Sequence, residues 1–513
     1  MHAIALLGLV AALSVLYFGL RYLFGNPGSR LPLPPGPSLL PSSLPERDIW
    51  RTFQKWHAKY GPIISLKVGS LTVIILGDRQ TAQALLEKRG GIYSSRPKSI
   101  FVDKYFTKGL QPGLMPSNNI WRLHRRLQTS LLSAKASESY QKIQDLESKQ
   151  LVWEMLSTND FTKSFQRFTA SAMFTLAFGK ALSKEDVKRD EIRHMDEMVE
   201  LTFQVVSVGS FLVDVFPILD HLPRFLSKWK TVAEKAHENT KAAFTRCINI
   251  GFQEDGWNWS REVRERKEAK ELTAEQLAYN QGELYIGGSH TSRMMMEIFV
   301  MTSILHPATV AKAQQELDSV VGPDRLPTFE DMDKLPYISA FISEVLRWRQ
   351  IAPLGVPHAA SKDDEYMGYR IPANAIVIAN QWQMNMDDQI FDEPESFNPD
   401  RWIEHPELPL SVFGFGRRVC PGQRIARSTL FIAISRLLWA YNITCPEADD
   451  LRARSADQSG RQGGAYVPSK FDASFDIRSP ERQKIIEEDW DSVDKDRKGI
   501  LADIKGSVFA PKV

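Results

Sequence analysis

Cysteine is scarce in this chain, with three in 513 residues, Cys247, Cys420 and Cys445. They show neither a paired framework nor C-x-x-C spacing, so a disulfide scaffold is excluded and a reducing compartment fits. No G-x-G-x-x-G follows a strand-like run, which leaves the chain without a flavin or nicotinamide domain of its own. Charge of one sign is also missing: 64 basic against 62 acidic residues give a net +2. With no basic tail or recognition motif, nothing points to nucleic acid. The length exceeds that of the usual single core, yet no Gly/Ser linker, internal repeat or low-complexity tract divides the chain, so one large unit is expected.

One long hydrophobic run is present. Ala3 to Leu20 is uncharged and mainly apolar, long enough to cross a bilayer as a helix at ~1.5 Å per residue. Arg21 and Arg30 follow it and only His2 precedes it, so the downstream chain is expected in the cytosol. A cleaved secretory signal is the alternative, but a basic n-region and a small-residue cleavage site are both lacking. Leu31-Pro32-Leu33-Pro34-Pro35-Gly36-Pro37 comes next, and its fixed φ values and missing donors predict a stiff spacer. The expected organisation is a membrane anchor over 1–24, a proline-rich hinge over 25–45 and one body over 46–513.

Within the body, Pro62 to Val68 and Leu71 to Leu76 are β-rich runs around Gly69-Ser70 and predict a hairpin. A second strand pair is expected between Tyr366 to Ile371 and Ala375 to Ala379. Helical spacing dominates elsewhere, near 121–133, 161–180, 190–210, 229–252, 273–305, 307–321 and 335–348. The expected class is mainly α with small β-sheets.

The most informative segment is Phe413-Gly414-Phe415-Gly416-Arg417-Arg418-Val419-Cys420-Pro421-Gly422. One cysteine stands between glycines that let backbone approach a flat ligand, with an arginine two residues upstream to meet anionic groups. The apolar run from Ile425 to Trp439 predicts a helix, so the sulfur sits at a helix N-terminus, where dipole and free N–H groups favour a thiolate. Phe413, Gly416, Arg418, Cys420 and Gly422 reproduce the fixed positions of the haem-binding loop of the cytochrome P450 family, which the chain resembles over nearly its whole length. The resemblance implies the cytochrome P450 fold, haem b as cofactor and Cys420 as the metal ligand. A cysteine ligand in that family favours O–O cleavage.

The resemblance extends to the long helical segment Thr273 to Leu305, where Gly287-Gly288-Ser289-His290-Thr291 matches a pattern of small residue, glycine, any residue, acid and threonine. Its two adjacent interior glycines cost about 2 kcal/mol relative to alanine. The family's small residues give dioxygen and substrate room beside the metal. His290 stands where the acid is expected. Thr291 and His290 are the candidate catalytic residues, since imidazole relays protons near cellular pH. A second reading places His290 against backbone or substrate while water serves Thr291.

Glu344-Val345-Leu346-Arg347, with Arg401 in Phe397-Asn398-Pro399-Asp400-Arg401-Trp402, matches the family's buried network bracing the proximal haem side. Trp121, Arg125, Arg418 and His358 occupy positions that resemble propionate donors. Arg122, Arg125, Arg126, Lys135, Arg417 and Arg424 form a candidate basic patch for an electron-donating flavoprotein. The substrate walls implied by analogy are the Phe101 to Pro116 loop, Phe203 to Phe211, Ile286, His290, Ile351 to Val356 and Pro468 to Phe471. The cast resembles fungal microsomal enzymes of secondary metabolism. That resemblance implies a monooxygenase anchored in the endoplasmic reticulum membrane, supplied by NADPH-cytochrome P450 reductase and acting on an apolar small molecule. Radical coupling or cyclisation, and a non-oxygenating haem isomerase or binding protein, are the alternatives.

Overall fold

The computed structural model describes residues 31–37, 48–205, 210–451, 466, 468 and 470–510. The expected anchor over 1–24 lies outside the described residues, as does all of the hinge except 31–37. Among the described residues no single helix is long and apolar enough to cross a membrane.

The described part of the hinge is docked rather than free. Ser65 donates its N–H to Pro35 O at 2.9 Å and its hydroxyl to Pro34 O at 2.6 Å, while Arg370 N–H reaches Pro32 O. A Cβ on Gly36 would lie 1.9 Å from Ser65 O, so only glycine permits this approach.

Strands β1 (Ile63–Val68) and β2 (Leu71–Leu76) form the expected antiparallel hairpin, turned at Gly69 with φ +56°. The second expected pair does not form. The later strands are β3 (His358–Ala359), β4 (Asp364–Tyr366), β5 (Tyr369–Ile371) and β6 (Ile376–Ala379). β5 pairs with β4, whereas β6 lies parallel to β2 and carries β3 on its other side, giving the order β1-β2-β6-β3. The run at 376–379 is buried at every position, which suits an interior strand between two neighbours rather than one arm of an exposed hairpin.

Helices make up most of the rest. Those that build the site are α1 (Asn119–Leu131), α2 (Phe161–Phe178), α3 (Asp190–Val205), α4 (Lys228–Gln253), α5 (Ala274–Leu305), α6 (Pro336–Trp348) and α7 (Gln423–Ala440). α5 starts at a capping box, in which Thr273 accepts from Gln276 N–H and the Gln276 side chain accepts from Thr273 N–H. It stops at His306, before Pro307. It packs against α2, α4 and α7 and is buried on most of its surface, as an all-round apolar helix in the centre of a large domain must be.

Candidate active site

A cavity of about 420 Å³ lies between α5 and the loop that enters α7. Cys420, Phe413, Arg418, Gly422, Trp121, Arg125, His358 and Thr291 all line it. Gly416 does not. Its φ is +57°, and a Cβ there would stand 2.1 Å from Leu86 O. This glycine therefore serves the turn and its seat on the 86–87 backbone, not the approach of a ligand. A Cβ on Gly422 meets nothing within 4 Å, so this second glycine does open onto the cavity.

The loop closes by a Cys420 N–H bond to Phe413 O at 2.8 Å. Burial pushes the Cys420 thiol up, and the N–H groups of Gly422 and Gln423 together with Arg125 pull it back only in part. A metal cation bound at the sulfur would favour the thiolate form, as metals do for coordinating thiols.

The cation cluster differs from expectation in one member. Arg418 gives its donors to Ser94 O, Pro112 O and Met115 O and stacks 3.9 Å from the Trp121 ring. Arg125 donates to Val419 O at 2.6 Å. His358 donates Nδ1–H to Tyr93 O at 2.8 Å, and burial followed by the Arg96 charge holds its ring down at about 3. Arg96, which the sequence did not mark, joins these residues. Its guanidinium is buried, donates to Gly113 O, Val356 O and Pro357 O, and lines the cavity.

Desolvation lowers Arg418 to about 8 and Arg96 to about 10. Among the described residues none of Arg96, Arg125 and Arg418 forms an ion pair. One buried carboxylate, Glu283, faces these three guanidinium groups electrostatically, which leaves the cluster with excess positive charge, and the two propionates of a haem are further anions that this set fits.

On α5 the cavity face comprises Glu283, Leu284, Gly287, Gly288, Thr291, Ser292 and Met295. A Cβ on Gly287 would meet nothing within 4 Å, so this glycine widens the cavity. A Cβ on Gly288 would run into Met173 of α2 at 2.4 Å, so its absence also lets two helices close on each other. Thr291 points its hydroxyl back to Gly287 O at 2.7 Å.

His290 and Ile286 are not on this face, contrary to the sequence-based expectation. One residue along a helix turns about 100°, which carries His290 toward α3, where Nε2 meets Asp196 Oδ1 and Nδ1 faces the Ser289 hydroxyl at 3.2 Å. Of the other expected walls, Pro112, Gly113, Phe203 and Ile351 to Val356 without Pro353 line the cavity. Phe211 instead stacks on Phe101, and Phe471 is in the core. Residues 206–209 are outside the described set.

Behind the cysteine loop, Glu344, Arg347 and Arg401 come together. Glu344 accepts from Arg347 Nη2 at 2.7 Å and Nε at 2.8 Å, Arg401 Nε at 3.2 Å, Trp402 Nε1 at 2.8 Å and Asn398 N–H at 2.9 Å. Every lone-pair direction of this buried carboxylate is used. Of the basic patch, Arg122, Arg126, Lys135, Arg417 and Arg424 are exposed, while Arg125 has turned inward to the cavity.

The family profile for cytochrome P450 matches residues 32–463. The cytochrome P450 monooxygenase FrzL of Cladobotryum is 39% identical over 495 residues, 96% of this chain and 96% of that protein. The monooxygenase aneD of Aspergillus aculeatus is 38% identical over 98% of this chain and 99% of its own. A zebra fish cytochrome P450 solved with abiraterone shares the fold, with TM-score 0.68 and 23% identity over 84% of this chain and all of that one. With its cysteine loop, its guanidinium cluster and its threonine-bearing central helix around one cavity, the chain belongs to the cytochrome P450 family, haem-thiolate oxidoreductases that bind haem b.

Proposed function

We propose that this protein is a membrane-anchored monooxygenase that hydroxylates or otherwise oxidatively modifies an apolar product of fungal secondary metabolism. The balance is one dioxygen and one NADPH with a proton, giving one oxygen atom in the product and one in water. The observation that carries this reading is that Cys420 and Thr291 line the same cavity. Haem b held by Cys420 supplies the oxidising chemistry.

Arg96, Arg125 and Arg418 hold its propionates, and Glu344, Arg347 and Arg401 brace the loop from behind. Thr291 holds a hydroxyl at the distal wall, where it orients water and passes protons inward. Met173, Phe203, Leu284, Met295, Ile351 and Leu354 exclude bulk water and give an apolar substrate its surface. Enzymes of this family take electrons from a partner reductase. The exposed cations Arg122, Arg126, Lys135, Arg417 and Arg424 suit the acidic face of NADPH-cytochrome P450 reductase. The anchor over 3–20 places the body at the cytosolic face of the endoplasmic reticulum membrane.

Coupling or cyclisation of the substrate without oxygen insertion is the second reading. It is favoured by the side chain at 290, which lies off the cavity face. Turnover with labelled dioxygen and a reductase separates the two. Heavy oxygen in the product supports insertion. An unlabelled product two hydrogens lighter than substrate supports coupling and overturns insertion.

A further inference from the structure

Part of the cavity wall belongs to no helix or strand. Pro112 and Gly113 line the cavity from a turn over 111–115, in which the N–H groups of Leu114 and Met115 both close on Gln111 O. No ladder of backbone bonds ties this turn to its neighbours, so side chains from elsewhere must fix its place. Three charged ones do so, each from a different part of the fold. Glu283 of α5 accepts Gly113 N–H at 2.7 Å. Arg96 donates its Nε–H to Gly113 O at 2.8 Å. Arg418 of the cysteine loop donates to Pro112 O at 3.2 Å and to Met115 O at 2.7 Å.

The residue at 113 and the acid at 283 are matched to each other. A Cβ on Gly113 would stand 2.3 Å from Glu283 Oε1, so any larger residue would push the carboxyl off this N–H. The second oxygen, Oε2, is closed off by protein, which leaves the carboxyl to act on the turn and not on a ligand. Arg96 reaches further. Its Nη1 donates to Val356 O and Pro357 O at 2.7 Å each, and Val356 lines the cavity as well. One guanidinium thus joins two wall segments that lie far apart in the chain.

We propose that Glu283 and Arg96 are positioning residues that determine specificity: they hold the 112–115 turn in register with α5 and the cysteine loop, and so set which substrate shapes the cavity admits. This rests on the monooxygenase reading above and deepens it. The cations that take the haem propionates are then the same ones that seat the wall. Glu283 works through its acceptor oxygen on Gly113 N–H, a role that glutamine can also fill, and not as a counter-charge, which glutamine cannot.

The test uses the haem-loaded protein and its Glu283→Ala, Glu283→Gln and Gly113→Ala variants with two probes of unequal bulk, imidazole and clotrimazole, which carries a triaryl group on the same ring. Both are titrated by their shift of the Soret band. In Glu283→Ala the ratio of the two dissociation constants is expected to move by at least about tenfold, the equivalent of ~1.4 kcal/mol, while the imidazole value stays nearly constant. Gly113→Ala, which leaves the buried acid in place, should move the ratio in the same way, and it carries the comparison alone should Glu283→Ala fail to load haem. Glu283→Gln should keep the ratio of the unmutated protein. Hydrogen exchange over 111–118 should quicken in the two alanine variants only. A smaller movement of the ratio in either alanine variant that loads haem, or a glutamine variant that behaves as the alanine one, overturns the proposal. The reduced carbon monoxide spectrum of the same preparations reports separately on the haem-thiolate reading. A normal spectrum with an unmoved ratio sinks the positioning role and leaves the oxygenase standing.

Discussion

His290 Nε2 lies 2.5 Å from Asp196 Oδ1, joining the middle of α5 to α3. Asp196 also accepts from Gln166 Nε2 on α2 at 3.1 Å and keeps about a third of its side chain in water. An acid therefore stands next to position 290 from another helix, although neither Asp196 nor His290 lines the cavity.

Restoring the family's acid should consequently do harm. His290→Asp sets a second carboxylate against Asp196 and is expected to cost about 1–2 kcal/mol. The double variant with Asp196→His, which exchanges the partners, should recover most of it. Urea unfolding of the four proteins measures the cycle. Product formed per NADPH in His290→Ala and His290→Asp tells whether the pair serves proton delivery or only holds α3 to α5.

Glu344→Ala should leave Arg347 and Arg401 buried without their carboxylate. Breaking a buried pair this way costs about 3–5 kcal/mol, and here it also frees the Trp402 and Asn398 donors. The expected outcome is loss of haem incorporation, read as the ratio of Soret to protein absorbance. Retained haem would contradict the bracing role.

Gly416 and Gly422 should respond differently to alanine. At Gly416 the positive φ and the Leu86 carbonyl both oppose a Cβ, so Gly416→Ala should lower the folded yield with or without haem. Gly422→Ala has open space in the chain alone, so it should leave the cofactor-free fold stable and reduce haem occupancy. Thermal melts of the apo and loaded forms check both.

His124 on α1 is fully buried, with Nδ1 accepting from Asn280 Nδ2 at 3.0 Å and Nε2 unpartnered. Burial holds its ring down at about 4. The unfolded chain takes up a proton near the ordinary value while the folded one does not, so stability is full above about pH 6.5 and falls as pH drops toward 4. The full loss is about 3 kcal/mol, and His124→Gln should flatten the fall measured by urea midpoints between pH 7 and pH 5.

Local pattern made some of this legible and hid the rest. The β1–β2 hairpin needs only two runs and Gly69 between them, so its pairing could be read. β6 finds its partner, β2, about three hundred residues earlier in the chain, and alternation reveals a strand without revealing its neighbour. The spacing of Glu344, Arg347 and Arg401 was readable through the family pattern, whereas Arg96 stands in a loop with no periodicity to mark it. At position 290 the motif fixed the residue but not its helix face, for 290 lies seven residues after 283, at the edge of the side that 283, 287, 291 and 295 share.

The central claim is that Cys420 is the metal ligand of a haem in this cavity. The most direct measurement is the reduced carbon monoxide difference spectrum of the purified protein beside that of Cys420→Ser. The account predicts a thiolate-type Soret band in the first and its loss in the second. An unaltered band after the substitution, or none in the unmutated protein, would contradict it.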